Sequence, residues 1–221
     1  MIIKMDSLFK TIQEFKSELR NEDTQLNGKM FENYVKESFI QFGYKELSKN
    51  DKNVYSFLQN IRNDMEETTY QNIYSFVDGK YIIQQPFGSQ CPPDIMLFYV
   101  TSLTIKVQCI EVKTGKKYAT WNNTYPKKGW IYIFSGMKGI TWFKGRHWIT
   151  TEQIGILETY KNLRKQMTLE FNDKLKGSHL KLVDYFKFEH ASSVDYYDSE
   201  QTLREIEVVE FMNNYDIGLS D

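Results

Sequence analysis

Near the N-terminus, hydrophobic residues recur every three or four positions, which is typical of amphipathic helices. The first helix is predicted from Asp6 to about Arg20, where Asp6 or Ser7 can cap its N-terminus. A second helix is predicted from Gly28 to about Phe42, and a third from Asn53 to Met65. The first part of the chain is therefore expected to be helical.

After these helices the pattern changes to short runs of β-branched and aromatic residues, which indicate strands. Asp78-Gly79 is a typical hairpin turn, and it predicts a pair of strands at Ile73–Val77 and Tyr81–Ile83. The run Ile95–Val100 is apolar throughout, so both of its faces are expected to be covered. Further strands are predicted at Leu103–Lys113, Gly129–Phe134, Ile140–Phe143 and Lys181–Phe188.

Two helices are predicted after the strands, at Thr151–Leu175 and Glu200–Asn213. The longer one has an apolar stripe and is expected to lie over the sheet. The stripe consists of Ile154, Leu157, Tyr160 (or Ile156), Leu163 and Met167. This order of elements predicts an α/β domain with a mixed central β-sheet flanked by helices. We expect one domain over 1–221, with a helical part at 1–65, the sheet at 73–150 and C-terminal helices at 151–221.

Composition narrows the class of protein. The chain has 221 residues, 41% of them hydrophobic and 15% aromatic, which is enough for a packed core and argues against disorder or a coiled coil. The sequence contains no run of 18 apolar residues, so no membrane span is predicted. Nothing near Met1 resembles a secretion signal, and a cytoplasmic location is therefore expected. Cys91 and Cys109 have no Cys-x-x-Cys spacing, which argues against a zinc site or a disulfide scaffold.

Charge is distributed unevenly although the formal net charge is only −1. Residues 101–150 contain nine basic residues and one acid, and all four tryptophans lie in the same stretch. Residues 187–221 contain two basic and nine acidic residues. The basic stretch is either a site for a polyanion or a solvated lysine-rich face. The acidic tail is a solvated face, a dimer contact or a mask for the basic stretch.

Three charged residues are placed to meet at one edge of the predicted sheet. Asp94 follows Pro93 at the start of one strand, and Glu111 and Lys113 end the next strand. Alternation along a strand puts Glu111 and Lys113 on the same face. A hairpin turning at Thr101-Ser102 would put Asp94 opposite them, so two carboxylates and one ammonium are expected to converge.

Two close carboxylates repel each other unless a cation lies between them. Mg²⁺ prefers one or two carboxylates together with water and phosphate oxygens, so Asp94 and Glu111 are predicted metal ligands, with the Val112 carbonyl as a further one. A metal held in this way polarises a phosphodiester and acidifies a bound water. Lys113 would either neutralise developing charge or help to deprotonate the attacking water.

The pattern Pro93-Asp94…Glu111-Val112-Lys113 resembles the PD-(D/E)xK nuclease superfamily and, within it, the type II restriction endonucleases. The resemblance covers roughly residues 28–150 and includes the segments 29–35, 88–95, 121–127 and 131–134. It implies the core fold of that superfamily and Mg²⁺-dependent cleavage of double-stranded DNA. It implies catalytic roles for Asp94, Glu111 and Lys113, with Glu32 completing the site. It also implies a companion DNA methyltransferase and, for a palindromic target, a homodimer.

The motif is short, and this chain contains two other matches to its second half, Glu14-Phe15-Lys16 and Asp78-Gly79-Lys80. The first lies in a predicted helix and the second in a predicted turn, whereas Glu111-Val112-Lys113 ends a strand. The loop after that strand is a candidate DNA-binding segment or, alternatively, a polar surface loop anchored by one tryptophan. Its candidate contacts are Lys116, Lys117, Trp121, Asn122, Asn123, Lys127 and Lys128.

Two other functions remain open. A nuclease of the same superfamily that acts in repair or on junctions would cut by DNA structure and not by sequence. A DNA-binding module with a vestigial site would bind DNA without cutting it.

Overall fold

The computed structural model describes residues 5–15, 24–62, 65, 69–89, 91–115, 119–122, 124–184, 187–189 and 195–217. In these ranges the helices are α1 (Met5–Gln13), α2 (Thr24–Gln41), α3 (Lys52–Ile61), α4 (Thr151–Lys174) and α5 (Gln201–Ile217), with a short 3-10 helix at Gly145–His147. The strands are β1 (Lys45–Glu46), β2 (Thr69–Gln71), β3 (Gly79–Gln84), β4 (Ile95–Val100), β5 (Thr104–Thr114), β6 (Thr120–Asn122), β7 (Ile131–Gly136), β8 (Gly139–Lys144) and β9 (Lys187–Glu189).

A mixed sheet forms the centre of the molecule, with strand order β1-β3-β4-β5-β7-β8. Strand β4 is antiparallel to both of its neighbours, β3 and β5. Strands β5 and β7 are parallel, and β7 and β8 form an antiparallel hairpin. β2 pairs with the first residues of β5, and β6 pairs separately with β9. The predicted α/β class, a mixed central sheet flanked by helices, is confirmed.

Alternation along the strands sends side chains to two separate cores. One face of the sheet packs against apolar side chains of α1, α2 and α5. The other face packs against α3 and against two large side chains from outside the main sheet, Trp121 and Tyr196. Because both faces are covered, all six residues of β4 are buried, as the apolar run Ile95–Val100 predicted.

The predicted strand Ile73–Val77 and its hairpin are wrong. Ile73 and Val77 are 73% and 76% exposed, and β3 pairs with β4 instead. The side chain of Asn72 accepts a hydrogen bond from the Phe76 amide at 3.2 Å and donates to the carbonyls of Phe76 and Thr101 at 3.0 and 2.8 Å. These bonds hold a turn that alternation of apolar and polar residues does not reveal.

Several predicted ends also differ. α1 ends at Gln13, short of the predicted Arg20, and residues 16–20 of that prediction lie outside the described residues. α3 ends at Ile61 and not at Met65. In the predicted strand Lys181–Phe188, residues 181–184 are not a strand, and β9 begins only at residue 187.

The long helix α4 does not cover the sheet, so that prediction is wrong. Its N-terminus carries a capping box, in which Thr150 and Gln153 bond each other's backbone amides at 3.1 and 2.9 Å. None of its residues is buried. In its predicted apolar stripe, Ile154 and Leu157 are half-buried, whereas Tyr160, Leu163 and Met167 are exposed. Among the described helices, α4 included, none is long and apolar enough to cross a membrane.

The acidic tail pairs with the basic stretch. Glu207 on α5 accepts hydrogen bonds from Arg146 and contacts His147 at 2.8 Å, and Asp195 pairs with Lys138 at 2.6 Å. Val208 and Met212, on the same helix, are completely buried against the sheet. Where it is described, α5 is therefore part of the core.

Two leucines in and beside the β4–β5 hairpin test this packing. Leu97→Ala, at a fully buried position, should lower the free energy of unfolding by about 2–5 kcal/mol because it leaves a cavity. Leu103→Ala, at a 77% exposed position in the turn, should change it by no more than about 0.5 kcal/mol. Urea denaturation of both variants measures the difference, and equal losses would contradict the described burial.

Candidate active site

The β4–β5 hairpin brings the predicted site residues together. Ile95 pairs with Ile110, so Asp94 and Glu111 are the next residues outward on the two strands. The turn is closed by a hydrogen bond from the Thr101 amide to the Thr104 carbonyl at 2.8 Å, within one residue of the predicted turn. The predicted convergence of Asp94, Glu111 and Lys113 is confirmed.

The three side chains form a small network of hydrogen bonds. One oxygen of Glu111 accepts from the Lys113 ammonium at 2.6 Å, and the other accepts from the Asp94 amide at 3.2 Å. Asp94 in turn accepts from the Val112 amide at 2.8 Å. The Glu111 side chain is 6% exposed and that of Lys113 18%, so the pair is shielded from solvent but can still be reached.

A third carboxylate reaches the same place from α2. Glu32 is 7% exposed, and its two oxygens accept hydrogen bonds from Gln84 at 2.8 Å and Gln85 at 3.4 Å. Gln84 ends β3, the neighbour of β4, which places Glu32 beside the Asp94 end of the hairpin. Its charge helps to raise the pKa of Asp94, and the charge of Glu111 helps to raise the pKa of Glu32.

Burial and mutual repulsion change the acidity of these groups. Burial, together with the charge of Glu111, raises the pKa of Asp94 to about 8, although Lys113 acts against this. Burial also raises the pKa of Glu32, more than its hydrogen bonds lower it. Burial alone would lower the pKa of Lys113, but the neighbouring Glu111 and Asp94 raise it overall. Without a bound cation, the site therefore favours a protonated Asp94 and a charged Lys113.

The donor atoms fit a hard divalent cation. Asp94 and Glu111 supply carboxylate oxygens, and the Val112 carbonyl lies on the same side of its strand as the amide that faces Asp94. No group of three or more His, Cys, Asp or Glu residues suited to a metal occurs among the described residues. Mg²⁺ does not need such a group, because it binds one or two carboxylates and keeps several waters.

The structure covers only part of the predicted DNA-binding loop. Lys116, Lys117 and Asn123 lie outside the described residues, and only the backbone of Asn122 is described. Trp121 is completely buried, edge-on to Tyr132, so it anchors the loop and its ring is not presented to DNA. The prediction that Trp121 contacts DNA is corrected accordingly.

Lys127 and Lys128 are both partly exposed. The Lys127 ammonium lies 4.7 Å from the centre of the Tyr125 ring, and Lys128 donates to the hydroxyl of Thr151. These contacts engage both ammonium groups, while part of each side chain stays in solvent. Both lysines remain candidates for phosphate contacts.

The residues that support the side chains of the site were not predicted from the sequence. Gln84 and Gln85 fix Glu32, and the signal for them was a pair of amides directly after the apolar residues of β3. Tyr132 pairs with Glu111 across β5 and β7, and its hydroxyl accepts from the Lys127 amide at 2.8 Å. The alternation of residues 131–134 predicts only a core position for this tyrosine, because nothing in the sequence shows what its hydroxyl meets.

Comparison with known proteins finds no matching family model, no matching curated protein and no matching solved structure.

The raised pKa of Asp94 predicts that a divalent cation placed between Asp94 and Glu111 would bind in a pH-dependent way. Native Asp94 keeps its proton up to about pH 8, whereas the unfolded chain releases it near the ordinary value of 3.8. Without a divalent cation, this group's contribution to the free energy of unfolding should therefore fall as pH rises between those values, and Glu32 acts in the same direction.

Mg²⁺ should raise Tm more at about pH 8.5 than at about pH 6.5, because the proton competes with the metal. At ten times Kd the gain is roughly 1.4 kcal/mol, or roughly 3–6 °C for a chain of this size. Differential scanning fluorimetry measures the shift. Asp94→Asn should abolish it and flatten the pH dependence, so an equal Mg²⁺ shift in this variant would contradict the assigned site.

Proposed function

We propose that the protein is a Mg²⁺-dependent endonuclease that hydrolyses double-stranded DNA, with a PD-(D/E)xK core and the character of a type II restriction enzyme. The observation that carries the proposal is the convergence of Asp94, Glu111 and Lys113 at the end of one hairpin, with Glu32 beside them. Like charges gathered in a shielded place are costly for stability and are typical of catalytic sites.

We assign a separate role to each side chain of the site. Asp94 and Glu111 would hold the metal, with the Val112 carbonyl as a further ligand. Mg²⁺ bound there would polarise the scissile phosphate and acidify a water. Lys113 stays charged beside Glu111, so we assign it the role of stabilising negative charge on the phosphate and not that of a base. Glu32 is a positioning residue held by Gln84 and Gln85.

The cleavage assay uses the full chain with a mixture of unmethylated phage and bacterial DNA, so that a short recognition sequence is present many times. Discrete fragments with Mg²⁺, lost with EDTA, are expected. Asp94→Asn and Glu111→Gln should each reduce the rate at least about 100-fold, because each removes a metal-ligand charge. The matched control is Asp78→Asn, which alters the exposed Asp-Gly-Lys match elsewhere in the chain and should cut at the wild-type rate.

Other outcomes of the assay point to the other functions. A smear that depends on Mg²⁺ and Asp94 would indicate a nuclease of the same superfamily that cuts without sequence specificity. Binding without cleavage, with Mg²⁺ and with Mn²⁺, would indicate a DNA-binding module and overturn the proposed activity.

The two lysines after the site test the contact with DNA. Lys127→Ala with Lys128→Ala should weaken binding to duplex DNA and reduce the slope of log K against log salt by about 1.8, because two phosphate contacts are lost. Fluorescence anisotropy at several salt concentrations measures both effects. Lys49→Ala with Lys52→Ala removes the same charge at two exposed positions outside the basic stretch and should leave the slope unchanged. An unchanged slope in the first variant would refute the assignment.

A further inference from the structure

The arm, defined as residues 151–184, consists of α4 and the segment that follows it. It carries nine of the seventeen large hydrophobic side chains that are exposed within the described residues, although it is less than a sixth of the chain. The remaining eight are spread over the rest of the described chain. A concentration of exposed apolar surface on one element marks an interaction site.

Five of these side chains form a stripe along α4. They recur every three or four residues and therefore lie on one side of the helix. They are Ile156, Tyr160, Leu163, Met167 and Phe171, with exposed fractions of 62%, 50%, 55%, 56% and 47%.

The other sides of α4 are already in use. Glu158, half a turn away from the stripe, accepts a hydrogen bond from the hydroxyl of Tyr125. The segment after α4 returns along the helix, where Arg164 pairs with Asp184 at 2.9 Å. Asn172 exchanges hydrogen bonds with the backbone of Leu182 at 2.7 and 3.0 Å. The arm is therefore held in shape by its own contacts, and the stripe faces away from the Tyr125 loop.

Charge argues against DNA as the partner of the stripe. α4 carries four acidic and four basic residues, so it has no net positive charge to offer a polyanion. The two ends of the stripe carry opposite charges, because Glu152 lies near the start of the helix and Lys174 at its end. Each of these charges lies eleven positions from Leu163.

This arrangement is self-complementary. Two copies of α4 that cross antiparallel at Leu163 place Glu152 of each copy against Lys174 of the other, with the apolar stripes between them. A two-fold axis makes both ends of the contact equivalent. A parallel pair would instead place Glu152 against Glu152 and Lys174 against Lys174.

We propose that a second copy of this chain covers the stripe, and that the protein is a homodimer joined through antiparallel α4 helices. The 24 residues of α4 make a helix about 36 Å long. With the charged side chains at its two ends, the stripe approaches the ~800 Å² per partner that specific interfaces bury. The proposal rests on this surface alone and is independent of the proposed cleavage activity.

Sedimentation velocity of the full chain over about 1–100 μM tests the proposal. The wild-type protein should sediment as a dimer, and Leu163→Glu should weaken the dimer at least about 100-fold because it buries a charge at the crossing point. The matched control is Leu169→Glu, which places the same charge on the opposite side of α4 at a 59% exposed position and should stay within about threefold of wild type. Both positions are exposed in the monomer, and far-UV circular dichroism verifies that each variant is folded.

A charge exchange tests the antiparallel direction. Lys174→Glu should weaken the dimer about tenfold, because an attraction becomes a repulsion at both ends, and adding Glu152→Lys should recover most of that loss. A wild-type monomer at 100 μM, a dimer that survives Leu163→Glu, or equal loss in Leu163→Glu and Leu169→Glu would each overturn the proposed interface. Failure of the double variant to recover affinity would overturn the antiparallel pairing.

Discussion

The register of the β4–β5 hairpin is the constraint on which the candidate site depends. Side chains alternate strictly along a strand, so a shift of one residue would move Glu111 and Lys113 to the opposite face and bring Ile110 and Val112 into their place. Two features fix the register. The turn at Thr101–Thr104 sets where the strands reverse. At the open end of the hairpin, the Asp94 amide donates to Glu111 and the Val112 amide donates to Asp94.

Once the register is fixed, the site gathers charges that repel each other. The charges of Glu111 and Glu32 raise the pKa of Asp94, and the charge of Glu111 also raises the pKa of Glu32. Lys113 offsets the effect at Asp94, and Lys29 offsets it at Glu32. Backbone amides hold Asp94 and Glu111 in place, since each accepts a hydrogen bond from the other strand. The fold therefore keeps an electrostatic cost that an apolar strand end would avoid. Such local conflicts with stability are expected where a protein binds a ligand or catalyses a reaction.

What the sequence could predict depended on how local the determining interactions are. The central strands and the convergence of Asp94 with Glu111 were predictable because period-two alternation and one short turn determine both. Glu32 and Gln84 lie 52 positions apart, and no local pattern links them. The turn at Ile73–Val77 was missed because it depends on the side chain of Asn72 and a carbonyl 29 residues away. For α4, periodicity identified an apolar side correctly but carried no information about what covers it.

The arm and the candidate site are connected through the Tyr125–Lys128 segment. The hydroxyl of Tyr125 donates to Glu158 near the start of α4, and Lys128 donates to Thr151 at its first residue. The Lys127 amide, in the same segment, bonds Tyr132 beside Glu111. If two copies pair through α4, these contacts fix the distance and angle between their two hairpin ends. An enzyme that cuts both strands of a symmetric target needs such a fixed spacing, because two active sites must reach two phosphates at once. The apolar stripe would then fix the spacing of the two sites, and the carboxylates of each hairpin would act at one of the two phosphates.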